Sequence, residues 1–247
     1  MICRACNSPE LSYFAPVEDV NHRWWLQCHA CGSMNSTYTY GEVCHLYAPE
    51  HVDQYRKVGV PATRAEHVAN FSGDRNHFCQ LHPSGGRFLD IGCLECCALQ
   101  SMHEAGWEAW GFDVCPTTPA YCEQVTGIPA ERVKIAEQFH ADLFPHMFTA
   151  VLCSEVIEHL ESPRVFLEQV RRSVCHGGTF TLQTPRPSDP KHPTWDQAPH
   201  LCILSERQIR RLLHEAGFAI YEDRSMVYPT PIDPRDMMGQ LYVCRKK

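Results

Sequence analysis

The chain predicts an α/β fold, a mostly parallel sheet with helices on both faces, carrying a small cysteine-rich unit at its amino terminus. Three observations predict it. A short apolar run over residues 87–91 is broken by Gly92, followed by helical spacing over 97–105, and replaced by a second strand-like run over 107–114 that carries Asp113 near its end. Two further apolar runs, 148–153 and 179–183, flank a helical stretch. Two Cys-x-x-Cys pairs, Cys3 with Cys6 and Cys28 with Cys31, stand 21 residues apart.

Composition bounds the rest. A chain of 247 residues fits one large domain, or a medium domain with a small appendage, and the expected division is 1–40, 41–83 and 84–247. Twenty-two basic residues against 29 acidic ones give a net charge of −7 with histidines neutral, which speaks against nucleic acid as a general partner. Hydrophobic residues make up 44%, enough for a sizeable core, and no window of eighteen apolar residues marks a membrane span. The first residues show neither a basic run nor an apolar leader core, so a cytoplasmic protein is expected. In a reducing compartment the fifteen cysteines are thiols or metal ligands and not a disulfide framework.

The four paired cysteines supply enough thiolates to close a tetrahedral Zn2+ site, and Gly32 suits the tight turn after the last of them. All four positions being filled by protein, the zinc is expected to be structural. Between the pairs, residues 13–27 with Trp24 and Trp25 read as a small hairpin that buries little without a metal. The unit over 1–40 is thus expected to be a zinc-binding knuckle, or ribbon.

Residues 41–83 read as a helical linker or lid, with helical character over 50–58 and 63–81 and a break at Gly59–Pro61. Gly85 and Gly86 make the turn into the first strand. At the carboxyl end of that strand Gly92 lets backbone approach a ligand, and Asp113, ending the next strand, is placed to bond two ribose hydroxyls. Residues 116–126 read as a helix, 131–136 as a short strand, and Ser162-Pro163 caps a helix running to about residue 174, which Gly177-Gly178 end. A loop over 184–204, rich in proline and histidine, is expected to form a substrate wall. Ser205 and Gln208 cap the helix over 205–216, and 218–223 with 241–245 read as an edge hairpin.

Leu89, Asp90, Ile91, Gly92 and Cys93 match the first motif of class I S-adenosylmethionine-dependent methyltransferases, which reads roughly Leu-Asp-Ile-Gly-Cys-Gly-x-Gly. Glu155 to Leu160 is similar to the Glu-Val-Ile-Glu-His-Leu run that follows the fourth strand in many of these enzymes. The chain resembles this family over about residues 84–245. The resemblance implies a Rossmann-like, seven-stranded, mostly parallel sheet, S-adenosylmethionine as cofactor, and methyl transfer to a small-molecule acceptor. Asp113 is then expected to bind the ribose, Asp90 to orient the methionine amino group, Gly92 to admit the loop, and Val114, Glu137 and Cys153 to border the cofactor. Glu158 and His159 form the expected catalytic pair, with His159 as general base, an imidazole that titrates near neutrality. Sugar methyltransferases with zinc-bearing amino termini look similar at this pair, so a sugar or natural-product intermediate is the expected acceptor.

Leu94 and Cys96 depart from the motif, standing where it has its second and third glycines. They motivate a rival expectation, a non-catalytic protein with a degenerate cofactor loop; another is a nucleic-acid or protein modifier guided by the zinc knuckle.

Overall fold

The computed structural model describes residues 1–16, 24–45, 47–58, 64, 66–69, 71–186, 200–225 and 239–247. In chain order the strands are β1 (Leu11–Pro16), β2 (Trp24–Cys28), β3 (Met34–Ser36), β4 (Arg87–Ile91), β5 (Glu108–Asp113), β6 (Val133–Ile135), β7 (Phe148–Ser154), β8 (Val174–Pro185), β9 (Cys202–Ile203), β10 (Phe218–Asp223) and β11 (Gly239–Lys246). The helices are α1 (Tyr40–His45), α2 (Pro49–Val58), α3 (Ser72–Leu81), α4 (Cys97–Glu104), α5 (Thr118–Thr126), α6 (Pro163–Ser173) and α7 (Glu206–Glu215).

Seven strands form one sheet in the order β10-β11-β8-β7-β4-β5-β6, in which only β11 runs antiparallel to its neighbours. This is the Rossmann-like fold expected. The central strand β4 buries Phe88, Leu89 and Ile91 completely, because a parallel strand flanked by helices on both faces has no wet side. On one face Phe148, Val151, Phe180, Leu182, Leu167 and Leu213 make the larger core; on the other, Phe78, Phe88, Leu99, Met102, Ala109 and Ile128 make a second. The strand order turns outward in both directions from β4 and β7, which opens a crevice at the carboxyl ends of β4, β5 and β7.

One glycine pair differs from expectation. The helix ends at Ser173, within a residue of expectation, but Gly177 and Gly178, expected to stop it, lie inside β8. Phe148 pairs with Val174 but Ala150 pairs with Thr179, so β8 carries extra residues in a bulge. Gly177 takes φ 76 there, and a side chain on Gly178 would stand 2.9 Å from the Thr149 carbonyl. Glycine serves a strand irregularity here, not a helix stop.

The amino-terminal unit is a second sheet, β1-β2-β3-β9. Its first three strands come from residues 11–36, but the fourth, Cys202–Ile203, comes from the far end of the chain. Trp25, Met34 and Ile203 form its small core. No helix among the described residues is long and apolar enough to cross a membrane.

Candidate cofactor and acceptor site

The loop after β4 is built without two of the motif's glycines, and its backbone shows how. Gly92 takes φ 83, while Leu94 is absent from the positive-φ positions and so makes no demand that glycine alone meets. Cys96 does: it takes φ 58 and ψ 23, left-handed, directly before α4. For a residue with a Cβ that conformation costs about 1–2 kcal/mol. Burial of Cys96 at 0% exposure, in the core of Leu99, Met102 and Cys122, offsets it.

Asp113 closes β5 and holds this loop. The Leu94 N–H donates to Asp113 Oδ2 at 2.9 Å and the Cys115 N–H donates to Oδ1 at 2.8 Å. From the other side Arg56 of α2 donates to the Leu94 carbonyl at 2.7 Å, to Thr117 Oγ1 at 3.0 Å and to Thr118 Oγ1 at 2.9 Å, and its guanidinium lies 4.1 Å from the centre of the Tyr121 ring. Burial pushes the Asp113 carboxyl up, against the pull of these amides and of Arg56. Arg56 thus clamps the loop from behind.

Beside the loop opens a cavity of about 230 Å³. Gly92, Leu94, Asp113 and Val114 border it at the ends of β4 and β5; Glu137, Gln138 and Phe139 at the end of β6; Ser154, Glu155 and His159 after β7. Tyr40, Val43, Cys44 and Tyr47 cover it from α1 and the turn after it, and Tyr40 Oη donates to the Glu137 carbonyl at 2.6 Å. A second, more polar cavity of about 400 Å³ meets the first at Gly92, Leu94, Ser154 and Glu155 and reaches Asp90, His67, Asp74 and Glu95. Burial, with the nearby Asp113, pushes Asp90 up to about 7. Cys153 is fully buried within the sheet, and it is the next residue, Ser154, that borders both cavities.

Glu155 turns the chain out of β7 in a left-handed conformation, φ 53, with its N–H donating to the Gln183 carbonyl at 3.1 Å. A non-glycine residue so held is a strain that the surrounding structure must impose, and such residues cluster at functional sites. The turn delivers Glu158 inward, fully buried, with Thr184 Oγ1 donating to its Oε2 at 2.9 Å. Burial, then the neighbouring Glu155, pushes Glu158 well above the usual carboxylate range. His159 points into the cavity, with Nε2 3.8 Å from Glu158 Oε1 and the Tyr47 ring edge-on at 5.8 Å between centres. The His200 ring lies 4.9 Å from that of His159, and His200 is itself 7% exposed.

The structure thus brings Gly92, Asp113, Val114, Glu137 and His159 to one cavity, and places Asp90 at the adjoining one. Tyr40, Tyr47 and Phe139 escaped sequence reading, because an aromatic residue in a lid has the same local pattern as one in a core. Nothing in the sequence around His200 says that it meets residue 159. His192 and Trp195, in the same loop, lie outside the described residues, as does the segment 226–238.

The four cysteines converge. Cys3 Sγ lies 3.7 Å from Cys31 Sγ and Cys6 Sγ 3.6 Å from Cys28 Sγ, and all four sulfurs fall within 4.8 Å of one another. Four thiolates about 2.3 Å from a zinc ion stand about 3.8 Å apart, so the donor set fits a tetrahedral metal in kind and in spacing. Hydrogen bonding with Cys31, then the Asn35 side-chain amide at 3.4 Å, holds Cys3 well below the ordinary thiol range. Gly32, φ 78, makes the turn that returns its N–H to the Cys28 carbonyl at 2.7 Å.

Comparison with known proteins places these features. A family model described as "Methyltransferase domain" matches residues 64–223. The ubiquinone biosynthesis O-methyltransferase of Photorhabdus laumondii is 31% identical over 112 residues, 42% of this chain and 46% of that protein. The mitochondrial enzyme of the same name from Schizosaccharomyces pombe is 28% identical over 127 residues, 50% and 44% of the two chains. The chain therefore spans about half the length of these curated relatives. Among solved structures, magnesium protoporphyrin IX methyltransferase from Synechocystis PCC 6803, with bound SAH, aligns at TM-score 0.56 and 16% identity over 84% of this chain and 99% of that one. An amino pentose methyltransferase from Micromonospora echinaspora aligns at TM-score 0.56 and 13% identity over 73% and 92%. At these identities the two structures establish the fold alone.

Proposed function

Because this chain belongs to the methyltransferase-domain family, we propose that it is an S-adenosylmethionine-dependent methyltransferase acting on a hydroxyl of a small polar metabolite. The observation that carries this reading is the single cavity shared by Asp113, Gly92 and His159. A buried carboxylate at a strand's carboxyl end suits a ribose diol, and Phe139 with Val114 offers apolar surface to an adenine ring. The preference for oxygen over nitrogen or carbon rests on the curated relatives, which are named O-methyltransferases.

When bound, the cofactor supplies an electrophilic methyl on a sulfonium. The protein's own residues supply the rest. Arg56 and Asp113 fix the loop that borders the cofactor space, and α1 with Tyr47 covers the crevice against water. His159 accepts the acceptor's hydroxyl proton as the nucleophile attacks, a role in which a positioned imidazole is worth about 10²–10⁴-fold in rate. Glu158, its carboxyl raised by burial, orients the turn through Thr184. Positioning contributes the larger share, since methyl transfer needs nucleophile and leaving group in line.

Calorimetric titration with S-adenosylmethionine and S-adenosylhomocysteine tests the reading. Micromolar binding of both supports it. A folded sample that binds neither would favour a fold kept without its cofactor.

A further inference from the structure

One of the places where the amino-terminal unit meets the rest of the chain lies at His200 and Leu201. Arg4, between two of the paired cysteines, sends its guanidinium to three backbone carbonyls: Nη1 donates to Ser36 at 2.8 Å and Leu201 at 3.2 Å, and Nη2 to Tyr38 at 2.7 Å. Its own N–H donates to Asn35 Oδ1 at 2.9 Å, which ties the guanidinium to the cysteine unit itself. Ser36, ending β3, donates through Oγ to the His200 carbonyl at 2.5 Å, and its N–H donates to the Leu201 carbonyl at 3.0 Å. The Leu201 N–H in turn donates to the Glu158 carbonyl at 2.8 Å. His200 is thereby gripped at its own carbonyl and at the next residue, by β3 on one side and by the turn bearing Glu158 and His159 on the other.

Continuity of the chain adds a second connection. Tyr38, whose carbonyl Arg4 holds, is two residues from Tyr40, the first residue of the helix that covers the cavity. One guanidinium therefore anchors the start of the lid and the segment carrying His200. A separate appendage tethered to a catalytic domain has no need of this arrangement.

We propose that the four-cysteine unit braces the acceptor site from outside its cavities, with Arg4 and Ser36 as positioning residues that hold His200 against His159. This deepens the methyltransferase reading and rests on it. His200 meets His159 ring to ring, 4.9 Å between centres, with Glu158 adjoining both. From that position His200 sets the orientation and proton affinity of the base, and among the described residues Glu158 and Tyr47 adjoin the pair, with Glu155, Asp113 and Cys44 near them. Ser36 and Arg4 touch neither cavity.

The test uses the full-length, zinc-loaded, 15N-labelled chain. Imidazole nitrogen signals are followed from about pH 5 to about pH 9 in the wild type and in Ser36→Ala, Ser36→Thr, Arg4→Ala and Arg4→Lys, with His159→Gln and His200→Gln assigning the two rings. Ser36→Ala is expected to move the titration midpoints of His159 and His200 by about 0.3 pH unit or more, and Ser36→Thr to restore them. Metal content is expected to stay at one ion per chain, and affinity for S-adenosylmethionine within about twofold. Midpoints unmoved in folded Ser36→Ala and Arg4→Ala overturn the proposal, as does an equal shift of every histidine in the chain. Should Ser36→Ala fail to fold, Arg4→Lys carries the same comparison, because an ammonium replaces the fork that spans three carbonyls. A wild type that binds no S-adenosylmethionine would sink the functional reading by itself and leave the histidine comparison readable.

Discussion

Leu94 donates its backbone N–H to the Asp113 carboxylate at 2.9 Å, so the residue that replaces a motif glycine also fixes the acid at the end of the next strand. The side chain lost from the usual pattern is a hydrogen atom; the contact that matters is made by main chain, which any residue supplies.

Asp113→Ala removes the loop's anchor and the expected ribose partner together. Hydrogen bonds to a charged group are worth about 1.5–3 kcal/mol each, so affinity for S-adenosylmethionine is expected to fall by about a hundredfold. Calorimetric titration of the variant measures it. An affinity equal to wild type would move the ribose site elsewhere.

Local chemistry explains why so much of this fold was legible and where reading stopped. The strand-turn-helix-strand unit around Gly92 announces itself through period and punctuation, and the cysteine pairs through spacing. The bulge at Gly177 was misread because glycine after a helix and glycine inside a strand look alike until the partner strand is known. The pairing of Asn35 with Cys202 joins segments with no shared local signal, and with it the meeting of His200 and His159 was out of reach. A short two-residue strand such as β9 exists only because its partner does.

Gly92→Ala is expected to destabilise more than Gly106→Ala. Both glycines have positive φ, 83 and 85, and share the strain of a left-handed alanine, about 1 kcal/mol. A Cβ at residue 92 would also stand 2.4 Å from Val156 Cγ2, whereas at residue 106 it meets nothing within 4 Å. Overpacking of that kind adds about 1–3 kcal/mol. Urea midpoints of the two variants, at unchanged slope, give the difference; equal midpoints would mean that Val156 yields freely.

Stability of the ligand-free protein is expected to depend on Asp90 with a defined sign. Its carboxyl is raised from 3.8 to about 7 on folding, by burial and by Asp113, so between those values the folded chain holds a proton that the unfolded chain has lost. Stability therefore falls as pH rises through that window and levels off above about 7, by up to about 1.4 kcal/mol per pH unit. Asp90→Asn removes this dependence, and the variant should exceed wild type in stability at about pH 8 by more than at about pH 5. Denaturant melts of both proteins at the two values decide it. A constant difference would show that Asp90 is ionised in the folded state throughout.

Metal removal should reach beyond the cysteines. The sheet β1-β2-β3-β9 has a core of Trp25, Met34 and Ile203 with Phe14 and Tyr38 packed against it, too little apolar surface to hold so small a unit on its own. Four thiolates closing on zinc would supply the missing free energy, as they do in metal-dependent small domains. Chelation, or Cys28→Ser, is expected to release one zinc per chain and to expose residues 1–36 to limited proteolysis. Because Ser205 Oγ donates to the Cys31 carbonyl at 2.6 Å and the Gln208 side-chain amide donates to the Ala5 carbonyl at 2.7 Å, the start of α7 should loosen with it. Cys244→Ser, in the core of the large sheet and remote in sequence from the knuckle, should lower the melting temperature but leave zinc bound. Purified wild type without zinc, melting at the same temperature as Cys28→Ser, would remove the metal site.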